Sequence, residues 1–138
     1  MLNENQVVDA ICAYLETRGY AVLSKCTTTV HGIDIVAKSP PEVGGRLLVE
    51  AKGGTSAREG SARYEKGFNR SQVFDRVAKA FYTAVCLLQE HQSNGDQVAL
   101  AFPDTGLVRE YLGRIATVLG TLRVAVFLVG EDLAVTIL

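Results

Sequence analysis

Three charged residues stand in runs whose other members are mostly apolar. Asp34 lies in Gly32-Ile33-Asp34-Ile35-Val36-Ala37, and Glu50 and Lys52 lie in Leu47-Leu48-Val49-Glu50-Ala51-Lys52-Gly53. Both runs have strand composition, and side chains alternate across a strand, so Ile33, Ile35 and Ala37 share one face while Asp34 and Val36 share the other. In the second run Leu47, Val49 and Ala51 take one face and Leu48, Glu50 and Lys52 the other, which sets Glu50 and Lys52 side by side. Aspartate is disfavoured in strands, and an unpaired buried carboxylate is costly, so these three residues need partners. One solution is structural: an ion pair of Lys52 with Glu50 or Asp34 at the open end of a sheet. Two carboxylates and one ammonium still leave a negative charge, which a divalent cation would neutralise, and an all-oxygen donor set suits Mg²⁺ or Mn²⁺. In that second solution Asp34 and Glu50 hold the metal, with the backbone carbonyl of Ala51 as a further ligand. Lys52 then positions or helps deprotonate a water, or offsets charge building on phosphorus oxygens.

The elements around these runs follow from hydrophobic spacing. Residues 3–17 carry Val7, Val8, Ile11, Tyr14 and Leu15 at helical intervals, with Asn3 or Asn5 as N-cap and Gly19 as a stop. A short strand over 20–25 leads to the Asp34 strand, and Ser39-Pro40-Pro41-Glu42-Val43-Gly44-Gly45 turns the chain into the Glu50 strand. Three strands joined by short links predict an antiparallel meander. Residues 53–67 form a long polar loop with four glycines. Asn69 caps a helix running to about His91, with an expected apolar stripe of Phe74, Val77, Phe81, Val85 and Leu88 and a polar one of Gln72, Arg76, Lys79 and Thr83. A strand over 98–102, a helix over 104–119, a nearly continuous apolar strand over 122–129 and a last strand over 133–137 complete the order α-β-β-β-α-β-α-β-β. That order predicts an α/β fold, a three-layer sandwich with a mixed sheet between helices, in a single domain spanning 1–138.

The 138 residues and 48 % hydrophobic content suffice for one core without staples. The longest apolar run is too short to span a bilayer, and Met1-Leu2-Asn3-Glu4 is no signal sequence, so a soluble, cytoplasmic protein is expected. Three cysteines, Cys12, Cys26 and Cys86, are odd in number and widely spaced, and are expected to be buried thiols rather than disulfides or zinc ligands. The net charge of −1 argues against coating nucleic acid by charge alone, yet residues 46–79 carry eight basic side chains against four acidic ones. Such a basic stretch on an otherwise acidic chain suits a local phosphate-facing surface.

The acid, the proline and glycine turn, and the acid-x-lysine of Glu50-Ala51-Lys52 together resemble the core motif of the PD-(D/E)XK nuclease-like superfamily. They are similar in particular to Mrr-type restriction endonucleases and archaeal Holliday junction resolvases. A first helix ending in Gly19-Tyr20 and leading into a strand fits the same families, and the likeness covers roughly the first 90 residues. The resemblance implies a restriction endonuclease-like fold and a Mg²⁺-dependent nuclease that hydrolyses DNA, with water as nucleophile and a 3′-hydroxyl leaving group. It implies Asp34, Glu50 and Lys52 as catalytic residues, and Gln72 on the following helix as a fourth. Ile33 stands where the family name has proline. The acid that many members carry on the first helix is absent at its expected position, Val8, and Glu4, one turn earlier on the same face, is the substitute metal ligand. DNA contacts are expected from Arg58, Arg63, Tyr64 and Lys66 in the loop and from Arg70, Arg76 and Lys79 on the helix, with RNA left open as a partner. His31 adjoins the Asp34 strand without a firm role. The rival is a nuclease fold of weak or lost catalysis that binds nucleic acid or a protein partner. Cutting both strands of a duplex needs two sites, so a homodimer paired through strand 133–138 is a further expectation.

Overall fold

The computed structural model describes residues 1–26, 32–55 and 67–138. In chain order the elements are α1 (Glu4–Thr17), β1 (Ala21–Lys25), β2 (Ile35–Lys38), β3 (Arg46–Ala51), α2 (Arg70–His91), β4 (Gln97–Pro103), α3 (Gly106–Gly113), α4 (Ala116–Thr121), β5 (Ala125–Val129) and β6 (Val135–Ile137), with one short 3₁₀ turn after α2. Six strands form a single mixed sheet in which sheet order equals chain order. β1, β2 and β3 are the antiparallel meander; β3, β4 and β5 run parallel; β6 returns antiparallel along β5 and forms an edge. The crossovers between parallel strands carry α2, then α3 and α4, and these helices pack on one face of the sheet while α1 covers the other. Two successive crossovers of the same hand require that shared face. The result is an α/β sandwich of three layers.

Local chemistry explains the helix starts. The Asn3 side chain accepts from the Gln6 amide at 3.0 Å, and the Gln6 side chain accepts from the Asn3 amide at 2.9 Å, a reciprocal cap that opens α1. Asn69 and Gln72 repeat it at the start of α2. α1 ends at Gly19, whose φ of +87° reverses the chain where a β-carbon would also press on Pro40.

Two expectations about helices change. The single helix expected over 104–119 is two, because Gly113 closes α3 and Ile115, at φ −124°, leaves helical geometry before α4 begins. The buried stripe of α2 is Val73, Val77, Ala80, Ala84 and Leu87, rotated from the expected one, so that Phe74 and Val85 are exposed. Ala80 and Ala84 let the helix lie close to the sheet. The larger Phe74 instead meets Tyr111 of α3 edge-to-face at 5.6 Å.

Below α1, Val7, Ile11 and Leu15 pack with Ile35, Val49 and Ala51; beneath α2 and α3, Leu48, Leu100, Phe102 and Leu128 meet Val77 and Leu112. At the start of β3, buried Asp96 accepts from the Arg46 guanidinium at 2.8 Å and from its backbone amide at 3.3 Å, which fixes where β3 and β4 come into register. Of the cysteines, all free, Cys12 is buried and Cys26 half-buried, but Cys86 is exposed, contrary to expectation. Among the described residues no helix is long and apolar enough to cross a membrane.

Candidate active site

β3 places its side chains as alternation requires. Val49 and Ala51 join the core under α1, while Leu48 faces α2 and Glu50 follows it on that side, buried. Lys52 lies just past the end of β3, its amide donating to the Ala101 carbonyl at 2.9 Å, so the chain is still held to β4 there. Its Nζ is 3.0 Å from Glu50 Oε1, with both side chains largely enclosed.

Asp34 sits one residue before β2 begins, rather than within a strand. β2 and β3 are paired from Ile35 opposite Val49 onward, so Ala51 has no strand residue of β2 opposite it. The Asp34 carboxylate takes that place: its Oδ2 accepts from the Ala51 amide at 2.8 Å. Its own carbonyl accepts from the Cys26 amide at 2.8 Å, which anchors the entry to β2. Burial pushes the Asp34 carboxyl up to about 7, against the pull of the Ala51 amide; the charges of Glu50 and Glu4, and a hydrogen bond shared with Glu50, raise it further. Beside Glu50, Asp34 thus favours its protonated form more than an exposed aspartate does.

Glu4 comes from the other layer. Burial raises its carboxyl, Lys52 lowers it, Glu50 raises it and Arg76 of α2 lowers it, so the first turn of α1 reaches the same electrostatic field as β3. Val8, the expected position of a helix acid, is buried in the core instead. What brings the beginning of α1 here is Gly53. A β-carbon on Gly53 would lie 2.4 Å from the Glu4 amide nitrogen, an approach only glycine permits. Gly54 then donates to the Leu2 carbonyl at 2.8 Å, and Thr55 bridges to Asn3, so the chain leaving Lys52 clamps the start of α1.

The other expected residues divide. Gln72 has its side-chain oxygen engaged by the Asn69 amide as the closing half of the α2 cap, a structural role the sequence reading did not assign it. Arg70 is paired with Glu110 of α3, which also binds Arg114, so its charge is already partly answered. Arg76 is half-buried, its guanidinium 4.9 Å from the centre of the Phe68 ring and within the field of Glu4. Lys79 is exposed on α2. Arg58, Arg63, Tyr64, Lys66 and His31 lie outside the described residues. Phe68 was not anticipated. Its position immediately before the Asn69 cap, with Val73 at the fourth helical position, is the signature of a hydrophobic staple and was the available signal.

Among the described residues, no three His, Cys, Asp or Glu side chains already ring a space for a metal ion. Mg²⁺ needs only one or two carboxylates, because water and phosphate oxygens complete its octahedron. Asp34 and Glu50 meet that need: both are buried acids, and their donors are all oxygen. Glu4 adds a third carboxylate within electrostatic reach. Comparison of the chain with family models, with curated proteins and with solved structures gives no match.

Proposed function

We propose that the chain is a metal-dependent phosphodiesterase that hydrolyses DNA, with a restriction endonuclease-like version of the α/β sandwich and membership of the PD-(D/E)XK superfamily. The observation that carries this reading is the buried acids Asp34, held by the Ala51 amide at 2.8 Å, and Glu50, with Lys52 at 3.0 Å from Glu50. A structural ion pair requires one acid; three acids gathered around one lysine leave negative charge that burial penalises and a dication answers.

Asp34 and Glu50 are the residues that would hold Mg²⁺ or Mn²⁺, with Glu4 and the Ala51 carbonyl available beside them. A dication there supplies Lewis acidity toward the scissile phosphate and makes water nucleophilic at neutral pH. The Ala51 amide orients Asp34 by its hydrogen bond, so the carboxylate is fixed before substrate arrives. Lys52, 3.0 Å from Glu50, would offset the negative charge that builds on the phosphorus oxygens. Arg76 adds charge on the α2 side of the same space, suited to a neighbouring phosphate.

The test is a cleavage assay on supercoiled, linear, single-stranded and branched DNA with Mg²⁺ or Mn²⁺, comparing the wild type with Lys52→Ala. Strand cutting by the wild type, lost in a variant that remains folded, supports the reading. Failure of the wild type to cut any of them, with no heat of metal binding by calorimetry, would return Asp34, Glu50 and Lys52 to architecture.

A further inference from the structure

Beside the acids, on the same α2 face of the sheet, is a cavity of about 310 Å³. Its walls are Phe68, Val73, Arg76, Phe102, Leu107 and Val108, contributed by the approach to α2, by α2 itself, by the end of β4 and by the start of α3. Apart from Arg76 these are apolar, and two are aromatic. The cavity adjoins the proposed site at two residues. Gly53, next to Lys52, lines it, and Arg76 both lines it and acts on the Glu4 carboxyl. Gly53 and Gly54 line the cavity toward the acids, where the backbone of Asn3 and Glu4 and the side chain of Met1 pack closely against them. A guanidinium between an apolar slot and a cluster of acids is arranged for a molecule whose phosphate is at the acids and whose flat apolar part enters the slot. At about 310 Å³ the space is at the small end of ligand pockets, enough for one nucleobase and too small for a base pair with its neighbours.

Resting on the phosphodiesterase reading, we infer that this slot receives a single unpaired nucleobase next to the scissile phosphate. The base stacks on Phe68, and Arg76, already over that ring at 4.9 Å, contacts the adjoining phosphate. A base can enter only by leaving its stack. The preferred substrate is therefore a strand with an unpaired nucleotide at the cut, and continuous duplex is disfavoured by the energy of unpairing and unstacking.

The experiment titrates the protein into a single-stranded oligonucleotide carrying 2-aminopurine, and into the same strand fully paired, first in EDTA and then in Ca²⁺. It compares the wild type with Phe68→Ala, which removes the stacking surface, and Leu107→Trp, which fills the slot. The expected result is a change in 2-aminopurine emission with the single strand, and a loss of about tenfold or more in single-strand affinity for both variants, with duplex affinity unchanged and both variants still folded at the temperature of the titration. If both variants bind the single strand as the wild type does, or lose both forms equally, the inference is overturned. It is equally overturned if the apolar dye ANS occupies the slot and no oligonucleotide displaces it. The cleavage panel is read separately. A response to 2-aminopurine without cutting of any DNA would remove the phosphodiesterase reading and leave a nucleotide-binding slot, whereas cutting that is indifferent to both variants would do the reverse.

Discussion

If Asp34 and Glu50 are kept as a functional pair, neutralising one of them should stabilise the metal-free protein. Asp34→Asn is the suitable change, because an amide oxygen can still accept from the Ala51 amide at 2.8 Å and the side chain carries no charge beside Glu50. The sign follows from linkage. The carboxyl titrates at 3.8 when unfolded and at about 7 when folded, so between those values the unfolded chain releases a proton that the folded one retains. The Asp34 contribution to stability is complete below about pH 4, declines as pH rises toward 7, and is level above. The displacement from 3.8 to about 7 is equivalent to at most about 4 kcal/mol. Screening by water at the open end reduces this to about 2 kcal/mol. Denaturant titration of both proteins in EDTA from pH 4 to 8 measures it. Acids with lowered values, such as Asp96 beside Arg46, contribute the opposite slope, but they are common to both proteins and cancel in the difference. The expected difference is near zero at pH 4 and grows to about 2 kcal/mol in favour of Asp34→Asn at pH 8. A variant that is less stable than the wild type at pH 8, or a difference that does not change with pH, would refute the raised Asp34 carboxyl and favour a structural ion pair.

Further outcomes follow from the same geometry. Lys52→Met, which keeps the side-chain stem but removes the charge 3.0 Å from Glu50, should lower cleavage by about a hundredfold or more, read as kcat/KM on the preferred DNA. Gly53→Ala forces a β-carbon to within 2.4 Å of the Glu4 amide, where only backbone can yield. A loss of about 2 kcal/mol by denaturant titration is expected from such overpacking, together with reduced cutting as Glu4 is displaced. Mn²⁺ at about a hundred times its dissociation constant should stabilise the wild type by about 2.7 kcal/mol, seen as a rise of several degrees in thermal midpoint, and should do much less for Asp34→Asn.

The sequence made the sheet legible where alternation was strict. The pairing of Glu50 and Lys52 on one side of β3 needed only the period of a strand, and the structure keeps it. Both N-caps were visible as asparagines, but the reciprocal use of Gln72 was not, since a glutamine three residues after a cap reads equally as an exposed helix residue. The rotated stripe of α2 was hidden because Phe74 is more hydrophobic than Ala80 or Ala84. Close packing on a sheet favours the smaller residues, which a count of apolar side chains undervalues. Glu4 was in view only as one turn from Val8. Its placement depends on contact between Gly53 and the start of α1, two segments far apart in sequence, and no local pattern encodes that distance.

The site has a topological origin. β3 is the strand at which the sheet changes from antiparallel to parallel pairing, and its two flanks end at different points. On one side β4 accompanies β3 through Ala51 and beyond, its Ala101 carbonyl still holding the Lys52 amide; on the other side β2 is paired only as far as Ile35 opposite Val49. The backbone of β3 therefore reaches its end with one flank paired and one open, and the Ala51 amide on the open flank demands an acceptor. A carboxylate meets that demand where an apolar side chain could not, and Asp34 does so with Oδ2. Replacing Asp34 by leucine should then do what asparagine does not, orphaning the buried Ala51 amide and destabilising the protein at every pH. The contrast between the two substitutions separates the hydrogen bond that the fold requires from the charge that only the chemistry requires.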